Sequence, residues 1–286
     1  MANETGDLRA RDILNVTATG EFAVRVHNAV NALFRKAKAK DEFEYACALL
    51  RIRGLEDAGW DPLGETQALV ADMFGLIGAP LRQDTRIRLA LLTYCHLVEA
   101  DAIYKILENM LRVIEGERCS TDPFCHLYRS KRKKDSGGFR RESLPPSAKT
   151  VVSSLVKHAR SINEDELAAI LEEMFDDQIR NAFFHSDYML HENEFRSKEA
   201  KFQTGNIISS SVELPVVMNQ MNRGLAFYLV FMQCYTEHIR SYTGPKKVTG
   251  RLLRDQSKRV QITLIADRSR GLYGFQSSSG GPVEER

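Results

Sequence analysis

The chain has 286 residues, 43% of them hydrophobic and 27% charged, with a single Trp and a net charge of +2 from 40 basic and 38 acidic side chains. That balance excludes a wholly basic, histone-like nucleic-acid binder, but a local basic patch suffices for phosphate contacts. The length allows one large domain or a core domain with appendages, and an extensive apolar core.

Its longest apolar run, Gly224 to Met232, is about half the ~20 residues that a membrane-spanning helix needs, so no membrane partner is expected. The stretch Met1 to Asp12 lacks the apolar region of a signal peptide. Cys47, Cys95, Cys119, Cys125 and Cys234 are scattered, with no C-x-x-C pair, which suits free thiols in a reducing cytoplasm.

Taken in chain order, helical periodicity dominates. Phe22, Val26, Ala29, Val30 and Phe34 form an apolar stripe ending in Lys36, Lys38 and Lys40, cations suited to a helix C-terminus. A second helix is expected from Phe43 to about Leu55, and a third from Glu65 to about Ile77, stopped by Gly78 and Pro80. A long helix from Asp84 to Glu115 would carry Leu92, Cys95, His96, Glu99, Ile103, Ile106 and Met110 on one face. Cys119 to Ser143 gathers Lys131, Arg132, Lys133, Lys134, Arg140 and Arg141 around Gly137-Gly138. This predicts a basic, exposed loop, whose plain alternative is a solvated connector.

A helix follows from Pro145 to about His158. The next begins beyond Ser161, with Glu164 as capping-box partner, and continues through Leu167, Ile170, Leu171 and Met174 to His185. Phe195 to Ser211 holds Thr204-Gly205-Asn206 between extended stretches, the pattern of a hairpin. The last long helix runs from Leu214 to Tyr242. Val260, Ile262 and Leu264 then alternate with polar residues before a turn toward Leu272, Tyr273 and Phe275, a second hairpin that could pair with the first. From Gln276 onward the Ser/Gly-rich composition predicts disorder. The fold class expected is mainly α, a helical bundle with small β-hairpin appendages. Its parts would be an N-terminal helical region over 1–80, a helical domain over 84–243 with the basic loop at 119–143, and a C-terminal extension over 244–286.

The stretch Arg180-Asn181-Ala182-Phe183-Phe184-His185 carries the most chemistry. On the predicted helix Met174, Gln178, Asn181, Ala182 and His185 continue one stripe, so Asn181 and His185 stand one turn apart and can meet a common ligand. Burying amide and imidazole groups without partners costs about 1–3 kcal/mol each, so they are either satisfied internally or used. Glu99 shares the apolar face of the long helix, and pairing with Arg180 across the bundle would satisfy it, with His96 as a neighbour; the alternative is a carboxylate at the edge of the stripe reaching solvent. Asp187, Tyr188 and His191 are weaker candidates. Cys119, Cys125 and His126 could hold a metal only with partners from elsewhere. Ser153, Ser154 and His158 lack a nucleophile-elbow context, and no Walker or dinucleotide glycine motif is present.

Arg180-Asn181-x-x-x-His185 resembles the Arg-(Asn/Asp/His)-x(3 to 5)-His signature of HEPN domains. Ser186-Asp187-Tyr188 and Glu194-Phe195-Arg196 are similar to what bacterial members show after it. Tyr94-Cys95-His96-Leu97-Val98-Glu99 with Tyr104, Leu107, Met110 and Leu111 resembles the family's first long helix, so the likeness spans Arg86 to Tyr242. The resemblance implies a HEPN-like bundle, a homodimer and metal-independent endoribonuclease activity, as in toxins or antiviral defence effectors under control of an antitoxin or regulatory protein. A non-catalytic module that binds nucleotide or RNA, or mediates assembly, is the alternative.

In the catalytic version, His185 would be general base or acid at the ribose 2′-hydroxyl or the leaving 5′-oxygen, because imidazole changes charge near neutral pH. Arg180 would hold the scissile phosphate, Asn181 would orient it or His185, and Glu99 would support Arg180. No metal or cofactor is needed, and the 2′-hydroxyl nucleophile restricts the substrate to RNA. The charge is unevenly spread in the same sense: residues 1–100 carry 12 basic and 14 acidic side chains, the remainder 28 and 24.

Overall fold

A computed structural model of the chain describes residues 17–51, 61–77, 79–135, 138–204, 207–251 and 259–277. The protein is mainly α with some strands. Its helices are α1 (Thr17–Lys40), α2 (Glu42–Leu50), α3 (Pro62–Ile77), α4 (Gln83–Leu97), α5 (Asp101–Glu115), α6 (Ala148–Ser161), α7 (Asp165–Met174), α8 (Asp177–Phe184) and α9 (Leu214–Arg240). None of the described helices is long and apolar enough to cross a membrane.

The chain forms two compact units, each assembled from three separate segments. The first takes residues up to Val30, Gly64–Ala100 and Ala169–Cys234. Its core joins Phe22, Val26 and Val30 of α1, Leu91, Tyr94 and Cys95 of α4, Leu171 and Met174 of α7, and Val217 and Met221 of α9. Gly224 lets α9 approach closely, because a Cβ there would lie 2.7 Å from the Tyr94 ring. Short strands β3 (Met189–His191), β4 (Glu194–Arg196) and β7 (Ser211–Glu213) form an antiparallel sheet in the order β3-β4-β7. Strands β5 (Phe202–Thr204) and β6 (Ile207–Ser209) pair as the expected hairpin. Its Gly205-Asn206 tip lies outside the described residues.

The second unit takes Asn31–Leu63, Asp101–Ala168 and Tyr235 onward. Helix α5 packs against α2 and α6, burying Ile103, Ile106, Leu107, Met110 and Leu111. Strands β8 (Lys246–Arg251), β9 (Arg259–Asp267) and β10 (Gly271–Ser277) form an antiparallel sheet in the order β10-β9-β8. Gly250 sits where a Cβ would meet the Phe43 ring of α2 at 2.5 Å, which brings β8 close to that helix. Two buried polar side chains in this unit are satisfied from the loop after α5. Glu44 accepts from Arg118 Nε (3.1 Å) and from the backbone N–H of Cys119 (2.9 Å), and Asn109 exchanges two hydrogen bonds with the Ser120 backbone.

Several expectations are corrected. The long helix predicted from Asp84 to Glu115 is two helices. Glu99 N–H and Ala100 N–H bond back only three residues, to His96 and Leu97, and Asp101 opens α5 with a carboxylate in its first turn. The helix predicted from Ser161 to His185 is likewise two, because Asp176 is extended (φ −122°, ψ 107°) and caps α8. Ser161 ends α6 rather than capping α7, its hydroxyl donating to the His158 carbonyl. Helix α2 ends at Arg51, whose left-handed φ of 51° stops it; residues 52–55, expected to be helical, lie outside the described ones.

The basic loop is not a loop. Arg129–Asp135 (β1) and Gly138–Leu144 (β2) form an antiparallel hairpin in which Arg132 faces Arg141 and Lys133 faces Arg140. The two C-terminal and central hairpins do not pair, since β5-β6 stands as its own sheet and β9-β10 takes β8 as a third strand. Gln276 and Ser277, expected to begin the disordered tail, complete β10. The remaining tail and the segment Met1 to Asp12 lie outside the described residues.

Candidate functional site

The site is built around the start and end of α8, in the first unit. At its start the backbone turns sharply between Met174 and Asp177. The Tyr94 hydroxyl stands in that gap, donating to the Met174 carbonyl (3.2 Å) and accepting from the Asp176 N–H (2.8 Å). The Asp176 carboxylate then accepts from the N–H groups of Gln178 (2.8 Å) and Ile179 (3.1 Å), satisfying two orphan donors of the first turn. Burial raises the Asp176 pKa, opposed by those two hydrogen bonds.

At its other end α8 closes with a Schellman pattern. The N–H of Asp187 bonds to the Ala182 carbonyl (2.9 Å) and that of Ser186 to the Phe183 carbonyl (3.0 Å). Ser186 takes the left-handed position (φ 55°) where glycine is the usual choice. Asp187 fastens the chain beyond by accepting from Ser197 Oγ (2.8 Å) and the Glu199 N–H (2.9 Å), and these bonds hold its carboxyl below the usual range.

Between these fixed ends lie the residues singled out by sequence. Arg180 Nη2 is 2.6 Å from Glu99 Oε1, so the predicted pair forms between α8 and the turn after α4. The contact is an ion pair, and Glu99 Oε1 is buried within it. Arg180 Nη1 donates to Asn181 Oδ1 (2.7 Å), and its Nε is buried without a hydrogen bond. The guanidinium carbon lies 5.0 Å from the centroid of the Phe184 ring. Cys95 is fully buried near this pair, and burial pushes its thiol up to about 12.

His185 is the C-cap of α8, exposed, with its backbone N–H bonded to the Asn181 carbonyl (2.9 Å). Its side chain has no hydrogen-bond partner among the described residues. Sequence spacing placed Asn181 and His185 on an inward stripe. The break at Asp176 rotates α8 away from the α7 stripe, leaving Asn181 half-buried and His185 in solvent. His96 meets Thr66 (Nε2 to Oγ1, 3.2 Å), and burial lowers its pKa. Tyr188 stacks on Phe195 with rings 7° from parallel, and His191 is exposed in β3.

The basic candidates belong to the second unit. Lys131 is exposed; the side chains of Arg132, Lys133, Lys134, Arg140 and Arg141 lie outside the described ones. Among the described residues no group of three or more His, Cys, Asp or Glu side chains is placed to hold a metal ion.

Sequence spacing missed Tyr94 and Asp176 as the residues that set α8. Asp176 had a usable signal, since Asp is a preferred N-cap; Tyr94, 82 residues away in sequence, had none. The site thus holds a guanidinium fixed by a carboxylate and an amide, and an exposed imidazole at the same helix's end. No family model, curated protein or solved structure gives a significant match to the chain.

Proposed function

We propose that the protein is a metal-independent endoribonuclease of HEPN type. The observation that carries this is the fixing of Arg180 by Glu99 and Asn181 on the short helix whose C-cap presents His185 to solvent. A guanidinium has five N–H donors; Asn181 takes one at Nη1 and Glu99 faces Nη2. Others remain for a phosphate oxygen, and a charge pre-oriented in this way costs little reorganisation as the transition state forms.

His185, free of internal partners among the described residues, would take the proton of the ribose 2′-hydroxyl or deliver one to the leaving 5′-oxygen. The 2′-oxygen attacks phosphorus, the P–O5′ bond breaks, and the products are a 2′,3′-cyclic phosphate and a 5′-hydroxyl. One Arg180 and one His185 per chain suit a homodimer that presents two copies of the motif to the RNA. The basic β1-β2 hairpin, in the other unit, would be an RNA-phosphate contact of its own. Control by an antitoxin or other regulatory protein would belong to a toxin or defence role.

The test is RNA cleavage in EDTA by wild type and His185→Ala, with circular dichroism establishing that both fold. Wild type should release 2′,3′-cyclic phosphate ends, and the variant should lose the activity. Unchanged cleavage by the variant would overturn the assignment. Tight RNA binding by a wild type that never cuts would instead make the protein a non-catalytic RNA-binding module.

A further inference from the structure

Phe184, which immediately precedes His185 and follows Arg180 by one helical turn, is 47% exposed. Its ring is held in place. Arg180 lies against it at 5.0 Å, and Phe183 meets it edge-on, with centroids 6.0 Å apart at 67°. Phe183 in turn lies over Tyr188 (5.5 Å, 31°), which stacks on fully buried Phe195 (5.4 Å, 7°). Phe184 is therefore the solvent end of a row of rings anchored in the core of its unit. Among the described residues the other exposed large aromatics are Tyr128 and Tyr273, and the Tyr273 ring is covered by Arg270 at 3.8 Å.

We propose that Phe184 is a stacking platform for the nucleobase beside the scissile phosphate. The inference rests on the ribonuclease assignment for its place in the reaction, and it names the form of substrate. A phosphate held by Arg180 has a base within one nucleotide on either side. An aromatic face next to that guanidinium captures an unpaired base, because every base has a π-face to stack. A base inside a duplex is already stacked on its neighbours, so single-stranded RNA is the preferred substrate. One ring also discriminates little among bases, so the platform selects for an unpaired base more than for sequence.

The experiment compares wild type, Phe184→Leu and Phe184→Trp on a single-stranded oligoribonucleotide. A second substrate has an abasic ribose in place of the nucleotide flanking the cleaved bond. On the intact RNA, Phe184→Leu should raise KM about tenfold with a far smaller change in kcat, and Phe184→Trp should restore it. On the abasic RNA, wild type and Phe184→Leu should be indistinguishable. A Phe184→Leu variant that matches wild type on intact RNA would overturn the platform while leaving the ribonuclease assignment intact.

Tryptophan fluorescence reads the platform without catalysis. Titrating Phe184→Trp with the 2′-deoxy version of the oligonucleotide should quench its emission, with wild type (Trp60 alone) as control. Quenching by a protein that never cleaves RNA would keep the platform and remove the ribonuclease assignment. No quenching would overturn the platform.

Discussion

The hydroxyl of Tyr94 occupies the break between α7 and α8, bonded at once to the carbonyl of Met174 and the N–H of Asp176. Both backbone groups are freed by the interruption of the helix, and one side chain satisfies both. With the Tyr94 ring wedged against Gly224, this contact sets the direction in which α8, and with it Arg180 and His185, leaves the core.

Tyr94→Phe keeps the ring and removes both bonds. Leaving the Met174 carbonyl and Asp176 N–H unpaired should cost about 1–3 kcal/mol, read from urea unfolding. Amide exchange at Gln178 and Ile179 should accelerate more than in α6, because the cap of α8 loosens first. Equal acceleration in both helices would show that Tyr94 contributes only general packing.

Glu99→Gln tests the ion pair. Both side chains are about one-third exposed, so the loss in global stability should be small, about 0–1 kcal/mol. Under the proposed mechanism kcat should fall about tenfold, because Arg180 loses the charge that orients it while keeping an isosteric neighbour. A stability loss well above that range with unaltered cleavage would make the pair purely structural.

His158 and His238 should give opposite pH dependences. His158 lies between Glu108 (Nδ1, 2.8 Å) and Glu115 (Nε2, 3.0 Å), so each ring nitrogen faces a carboxylate. The hydrogen bond to Glu108 raises its pKa against the opposing effect of burial. The stabilisation is full below the unfolded histidine pKa of about 6.5 and is lost as pH rises through the raised folded value. His238 is pushed down, first by burial and then by Lys38, with Tyr45 and Asn31 holding its ring nitrogens at 2.6 and 2.9 Å. The unfolded state then binds the extra proton, so stability falls as pH drops below about 6.5. Melting temperatures from pH 5 to 8.5 should lose the alkaline decline in His158→Gln and the acid decline in His238→Gln. Unaltered profiles would refute both assignments.

Ser186→Gly should stabilise the protein. A non-glycine residue in the left-handed region costs about 1 kcal/mol, and Ser186 holds φ 55° at the C′ position of α8. Gly's greater freedom in the unfolded chain offsets part of the gain, so the net should be a few tenths of a kcal/mol, read as a raised melting temperature. A lowered melting temperature would mean that the Ser186 side chain holds the α8 terminus in some other way.

By itself the sequence determined where apolar periodicity runs. The stripe from Phe22 to Phe34, the helix from Leu214 and the alternation of Val260, Ile262 and Leu264 each became the expected element, because each pattern is local. It also brought Arg180, Asn181 and His185 onto one helix end. It could not locate the breaks at 98–100 and 175–176, which lack Gly and Pro, so an uninterrupted apolar stripe reads straight through them. The break at 175–176 holds because a distant tyrosine and Asp176 satisfy the freed backbone groups, and at 98–100 the N–H groups of Glu99 and Ala100 bond back only three residues. The tertiary structure alone decided that His185 faces solvent, that basic residues occupy a hairpin, and that each unit draws on three separated segments. Contacts between residues tens of positions apart depend on packing, and spacing along the chain carries no record of it.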